Sequence, residues 1–285
     1  MESNVYQKTP FVRLLIGAVL GIGPSTVQQK LLAIIIIQLV CGILASLLLK
    51  DNYHERTEVI KNKKSFKEVL KNFYPSVKKY PNFTWALLTK LFINVTNAGL
   101  GLLTLFYIAR FHLGQTEIFQ INAYTAPSIM LMVVSGLVGG FLSDKIKKQK
   151  VFVMGSALIT GICMVAFAFS TNVTWAIIAN FIFNFGFGMY GAVDNALVNR
   201  ILPTKEDAGK DIALMNTTVF FTSAIVNFAA PFFISIGTKL LGGDGYTFYF
   251  LVLAGFSVLS ALTVLPIPDI GKDKKLVENS EIVNE

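Results

Sequence analysis

The chain has 285 residues, 53% of them hydrophobic and 15% charged, and its mean hydropathy is +0.59. A soluble domain carries about 25% charged residues, so this composition excludes an ordinary water-soluble enzyme or binding module and implies a membrane protein. The net charge of +8 would suit nucleic acid, but the bases fall in alternate loops rather than on one patch, so they read as a topology signal.

Crossing a bilayer takes about 20 apolar residues. In chain order, a short and weak span is expected at 11–22, followed by clear ones at 31–49, 85–109, 119–142, 151–169, 175–198, 212–236 and 246–265. The predicted fold class is therefore all-α, a polytopic membrane protein of about eight transmembrane helices. Lys8 and Arg13 lie around the start of the first apolar run, as in a signal peptide. No small-x-small cleavage site follows and a second span comes at once, so an uncleaved helix is expected. Cys41 and Cys163 sit singly inside spans, which leaves no disulfide framework, no CxxC site and no metal cluster.

Between the second and third spans lie Arg56, Lys61, Lys63, Lys64, Lys67, Lys71, Lys78 and Lys79. Further bases follow at Lys145, Lys147, Lys148 and Lys150, at Arg200, Lys205 and Lys210, and at Lys272, Lys274 and Lys275. The intervening loops are short and nearly uncharged. One orientation satisfies them all, with both termini and every basic loop in the cytoplasm of a multi-pass cell-membrane protein. The predicted organisation is two helices in 1–50, a basic cytoplasmic loop in 51–84, a six-helix bundle in 85–266 and a cytoplasmic tail in 267–285. Within the basic loop, "SFKEVLKNFY" has capping-box spacing at Ser65 and Glu68, and places Phe66, Val69, Leu70 and Phe73 on one face. Both a helix lying on the membrane surface and a solvated linker fit it. The later spans fall into two triplets, an arrangement known from transporter halves.

The spans differ in the polar groups they carry. Asn94 and Asn97 share a face with Gly101. Asn180, Asn184, Gly188, Gly191 and Asn195 make a second stripe, Asn216, Ser223 and Asn227 a third, and Tyr124, Ser128 and Ser135 a fourth. By contrast, the spans at 151–169 and 246–265 carry only small hydroxyls and glycines. An amide in hydrocarbon must find a partner or line water. Interhelical hydrogen bonding and a shared polar pathway both account for the stripes, and their concentration in some spans favours the pathway.

Asp194 stands apart. Ten residues after Asn184 it lies about 280° further round the helix, on the side of Phe183, Phe187 and Tyr190. A carboxylate near a helix C-terminus opposes the helix dipole, so it is not there to stabilise the helix end. Lys90, near the start of the span at 85–109, is the expected ion-pair partner, and the pair is a candidate for gating or ion coupling.

The loop "GGFLSDKIKKQK" at 139–150 resembles the loop motif of the major facilitator superfamily, G-x-L-[SA]-D-[RK]-x-G-[RK]-[RK]. Gly140, Leu142, Ser143, Asp144, Lys145 and Lys148 match it, while Lys147 stands where the family usually has Gly and Gln149 where a base is common. The stretch "VDNALVNRILPTKEDAGKDIALMN" further resembles bacterial carriers of that superfamily related to the sucrose–proton and glycoside–cation symporters, through Asp194, Leu202, Pro203, Asp207, Ala208, Gly209, Lys210 and Asp211. The resemblance implies that these spans correspond to helices five to twelve of a twelve-helix carrier, with the first four missing. It also implies that the spans carrying the polar stripes border the cavity, while those at 151–169 and 246–265 lie outside it.

Three readings follow. The first is a secondary carrier, or part of one, that moves a small polar solute, a sugar by the narrower resemblance, together with a proton or cation. The second is a non-transporting subunit, receptor or inactive gene fragment of the same fold. The third, an intramembrane enzyme, is disfavoured: the chain has two histidines, His54 and His112, on opposite sides, and no HExxH, GxSxG or P-loop. The expected partners are the lipid bilayer, a small solute and a proton or cation, with no nucleic acid, and no cofactor is implied.

Overall fold

The computed structural model describes residues 27–48, 80–201 and 208–267. The chain divides into two compact units, Met1–Lys63 and Lys64–Glu285. The expected span at 11–22, the amphipathic segment at 65–74, Leu202, Pro203, Asp207 and the tail beyond 267 lie outside the described residues. In the first unit, helix α1 (Val27–Leu48) falls where the span at 31–49 is expected, and its apolar segment, Ile35–Leu48, is shorter than the membrane-crossing stretches of the second unit.

The second unit is built of α2 (Pro81–Gly99), a single 3-10 turn (Leu100–Leu102), α3 (Leu103–Phe111), α4 (Gln115–Thr125), α5 (Pro127–Ile146), α6 (Gln149–Ala168), α7 (Val173–Ile201), α8 (Ala208–Leu241) and α9 (Tyr246–Thr263). Among the described residues, six helical stretches are long and apolar enough to cross a membrane: Pro81–Phe111, Gln115–Ile146, Gln149–Ala168, Val173–Asn199, Gly209–Leu241 and Tyr246–Thr263. The chain is a multi-pass, all-helical membrane protein.

Local sequence explains where the long stretches break. Gly99 precedes and Gly101 lies within the 3-10 turn that interrupts the first of them, because glycine weakens the helix ladder. Pro127 lacks an N–H, so it starts α5 rather than continuing α4. Left-handed residues close α3 at His112 (φ 52°) and α5 at Lys147 (φ 57°), and Gly245 (φ 76°) opens α9.

Apolar side chains gain little by leaving lipid for protein, so close packing and interhelical hydrogen bonds must hold such helices together. α7 packs between α5 and α6, α9 between α6 and α2, and α8 against α2 and α9. The α5–α7 crossing is made of glycine: a Cβ on Gly188 would run into the Met132 carbonyl and Ser135 Oγ, and one on Gly139 into the Met189 side chain. Where α9 meets α2 and α6, a ladder of hydroxyls does the joining. Thr89 Oγ1 lies 3.0 Å from Thr263 Oγ1, Ser260 Oγ donates to the Thr89 carbonyl at 3.0 Å, and Ser257 Oγ bridges Thr96 Oγ1 at 3.2 Å and Thr160 Oγ1 at 3.1 Å.

Apolar clusters fill the two ends of the second unit. Phe106, Phe167, Tyr246, Tyr249 and Phe250 pack at one end, with Phe250 edge-on to Phe106 at 5.0 Å. Phe83, Ile93, Tyr190, Val193, Met215 and Ile267 pack at the other, toward the basic turn at 147–149. The hydroxyl-bearing α6 and α9 are the most enclosed spans, 50% and 44% buried, against 17% for Gly209–Leu241 and for Gln115–Ile146. The polar stripes thus fall on the more open helices.

The glycine crossing gives a test. Gly188→Ala is expected to cost about 1–3 kcal/mol through overpacking, read as a lower midpoint for heat-induced loss of the monodisperse species in detergent. Gly191→Ala, where a Cβ meets nothing within 4 Å, is expected to leave that midpoint unchanged or raise it.

Candidate functional site

Lys90 of α2 and Asp194 of α7 meet inside the helix bundle. Lys90 Nζ lies 3.4 Å from Asp194 Oδ2, and the Tyr190 hydroxyl donates to Asp194 Oδ1 at 3.1 Å. Tyr190 precedes Asp194 by four residues, so the helix itself places the phenol over the carboxylate. Lys90, Asp194 and Tyr190 are 8%, 2% and 3% exposed as residues. Phe183, Phe187 and Tyr190 stack along α7 at 5.7 and 6.5 Å and wall off that side.

Taking both charges out of water costs several kcal/mol per ion unless the partners satisfy each other. Here each carboxylate oxygen has one donor. Yet 3.4 Å is long beside the 2.7–2.9 Å typical of charge-assisted hydrogen bonds, and the contact is a single one. The pair is enclosed but loosely made.

The amide stripes divide. Ser128 of α5, itself 2% exposed, joins Asn180 and Asn184 of α7: its hydroxyl donates to Asn180 Oδ1 at 3.2 Å and accepts from Asn184 Nδ2 at 3.1 Å. Asn94 of α2 is buried and donates to Thr218 Oγ1 of α8 at 3.1 Å. Asn97 is half-buried, Ser223 returns its hydroxyl to the Val219 carbonyl, and Tyr124, Asn195, Asn216 and Asn227 are exposed. The structure therefore gathers Ser128, Asn180 and Asn184 in one place and Lys90 with Asp194 in another, and leaves Asn195, Asn216 and Asn227 on the surface of their helices.

In the loop-motif segment, Ser143 is buried and donates to the Gly140 carbonyl at 2.9 Å, and Gly140 faces the Ala192 methyl of α7. Gln149 Nε2 reaches across the turn to Asp144 Oδ1 at 3.1 Å, while Leu142, Lys145 and Lys148 are exposed. Lys147, in the position where the motif has Gly, holds the left-handed conformation that closes α5. A non-glycine residue there costs about 1–2 kcal/mol.

Sequence reasoning missed a second ion pair, at the opposite end. Arg110, at the end of α3, pairs with Asp244 in the turn between α8 and α9 through two guanidinium nitrogens, Nε and Nη2, the latter at 2.8 Å. Its remaining N–H groups reach Thr247 Oγ1 at 2.8 Å and the Ala168 carbonyl at 3.2 Å, and the guanidinium lies 5.3 Å from the Phe106 ring centre. Burial opposes ionisation of Asp244, but the hydrogen bonds and charge of Arg110, together with the Tyr246 N–H, outweigh it and hold the carboxyl below its usual value. The available signal was that Arg110 and Asp244 lie on the side whose loops carry few charges. Tyr190 was on the expected side of α7, but its hydroxyl contact follows only from the side-chain geometry.

A family model described as Major Facilitator Superfamily matches residues 10–226, most of the chain. No curated protein and no solved structure matches it.

The Arg110–Asp244 contact predicts a pH dependence. A carboxyl with a depressed folded-state pKa stabilises above its unfolded value of about 3.9 and loses that contribution as pH falls through the lower folded value. Asp244→Asn is expected to cost about 1–3 kcal/mol at pH 7 by leaving Arg110 without its counter-charge. In thermal unfolding series, the gap between parent and variant should stay constant from neutral pH downward and close below about pH 3.9.

Proposed function

Because the chain belongs to the major facilitator superfamily, a family of secondary transporters, we propose that it moves a small, uncharged, hydroxylated solute across the cell membrane by alternating access, coupled to a proton or cation. The observation that carries this reading is the enclosed Lys90–Asp194 contact, completed by Tyr190, near the basic end of the bundle. A strong, fully satisfied pair would serve only to fasten α2 to α7. A single long contact between enclosed charges is a two-state element: opening it exposes two ions that must be rehydrated, and closing it excludes water. A solute shifts such an equilibrium only by as much as its affinities for the two states differ.

α7 joins the parts. It carries Asp194 toward one end and Asn180 and Asn184 toward the other, and the glycine crossing makes it move together with α5. A sugar fits the amide and hydroxyl content of α5 and α7, and the narrower resemblance to sucrose and glycoside carriers supports the same solute class. Tyr190 holds one carboxylate oxygen while Lys90 exchanges at the other. In this scheme Asp194 and Lys90 gate the pathway, and protonation of Asp194 releases Lys90.

The test is uptake into liposomes. The purified chain, reconstituted and given an inward proton gradient, is expected to accumulate at least one of a panel of labelled sugars faster than empty liposomes do. Asp194→Asn should bring gradient-driven accumulation close to the empty-liposome level. Accumulation unchanged in the variant would remove Asp194 from the mechanism, and no uptake of any sugar would count against a carrier of this solute class.

A further inference from the structure

The Ser128–Asn180–Asn184 triangle has an orientation fixed by chemistry. Asn184 Nδ2 lies 2.9 Å from the Asn180 backbone carbonyl, which can only accept, so the atom facing it is the amide nitrogen. The Asn180 atom 3.1 Å from that nitrogen must then be the amide oxygen, and the Ser128 hydroxyl closes the ring by donating to the same oxygen. Asn184 spends both N–H groups in this way, on three acceptors.

Two groups remain outside the triangle. They are the Asn180 amide nitrogen, with two donors, and the Asn184 amide oxygen, with its acceptor sites. Neither has a hydrogen-bond partner among the described residues. Both side chains are half-buried and lie one helical turn apart, while Ser128 beneath them is 2% exposed and locks their rotamers. A donor and an acceptor are thus presented side by side, about 5–6 Å apart at their Cβ atoms, by residues that cannot turn away without breaking the triangle.

The geometry points to Asn180 and Asn184 as the pair that selects the solute, and to a neutral solute with an acceptor and a donor on neighbouring atoms, as two adjacent hydroxyl groups provide. This deepens the carrier reading above and rests on it. One adjacent hydroxyl accepts from Asn180 while the other donates to Asn184. A formal charge is excluded by the surroundings. The triangle has no ionisable group, the Lys90–Asp194 pair lies ten to fourteen residues further along α7, about 15–21 Å along the helix axis, and Arg110 and Asp244 toward the other end are spent on each other. A charged group at the triangle would stand without a counter-charge in a medium that penalises it. A solute lacking one of the two hydroxyls would leave a half-buried amide group without a partner, which is the arrangement that discriminates most sharply.

Asn180→Asp tests this with a change of one atom. The aspartate keeps the oxygen that accepts from Ser128 and Asn184 but, when ionised, replaces the outward donor by an acceptor that also carries a charge, so Asn180→Gln, which adds no charge, is measured beside it. Liposomes containing the full chain are offered a mixture of a hexitol, a hexopyranose, its monodeoxy analogues, its uronic acid and its amino sugar, and their contents are resolved by mass spectrometry. The parent is expected to take up the neutral diols and to reject the monodeoxy, acidic and amino forms. Asn180→Asp should slow diol uptake at least about tenfold, the loss expected for one well-made hydrogen bond. Asn180→Gln keeps both amide atoms and adds no charge but displaces them by one methylene, and should slow diol uptake likewise, whether or not the aspartate variant yields monodisperse protein. Uptake of the uronic acid or amino sugar equal to the neutral sugar, or diol uptake unaltered in a folded variant, overturns the selection pair and leaves the carrier reading standing. No uptake of any member of the mixture overturns both.

Discussion

Inside a bilayer there is no water to satisfy a polar group, and an N–H, O–H or charge left without a partner costs several kcal/mol. Much of the second unit of this protein is organised by where such groups find partners. Hydroxyls on α9 are satisfied by α2 and α6, and the three helices become its most enclosed part. Ser128 is satisfied by amides of α7, and the glycines of the same crossing let α5 come close enough for that. Small polar residues and glycines, rather than large apolar ones, therefore set which helices touch.

The same constraint gives the two ion pairs different characters. Arg110 is held by Asp244 through two nitrogens and by a hydroxyl and a carbonyl besides, and it ties the end of α3 to the turns at 168–172 and 242–245. That geometry is a clamp, since no small displacement frees it. Lys90 meets Asp194 through one longer contact, with Tyr190 rather than a second cation on the other oxygen. One end of the bundle is thus fastened by an ion pair with several contacts and the other by a single longer one; in the proposed carrier the second is the pair that opens.

The helices themselves were legible because crossing a membrane demands long apolar runs, and hydropathy placed each described span to within a few residues. The breaks at Gly99–Gly101 and at Pro127 also carry sequence signals, though a hydropathy window averages over them. The Lys90–Asp194 contact was legible for a similar reason: two charges at the same depth have few alternatives to each other. Partners far apart in sequence were not legible. Nothing local says that Asn94 reaches Thr218, or that Ser128 takes both Asn180 and Asn184 while Asn195 in the same stripe stays exposed. The periodicity gave the face of α7 but not the rotation of α5 against it, and that rotation decides which amides are shared. For the same reason the small hydroxyls of α6 and α9 do not announce their partners in the sequence, although they join α9 to α2 and α6.

The central claim is that Lys90 and Asp194 act on each other, and reversing the two charges tests it most directly. Lys90→Asp and Asp194→Lys, each alone, place two like charges in an enclosed site and are expected to abolish uptake into liposomes. The double reversal restores an opposite pair at the same place and should recover a measurable part of the uptake. A folded double variant as inactive as either single one, or a single variant with full uptake, would contradict the account.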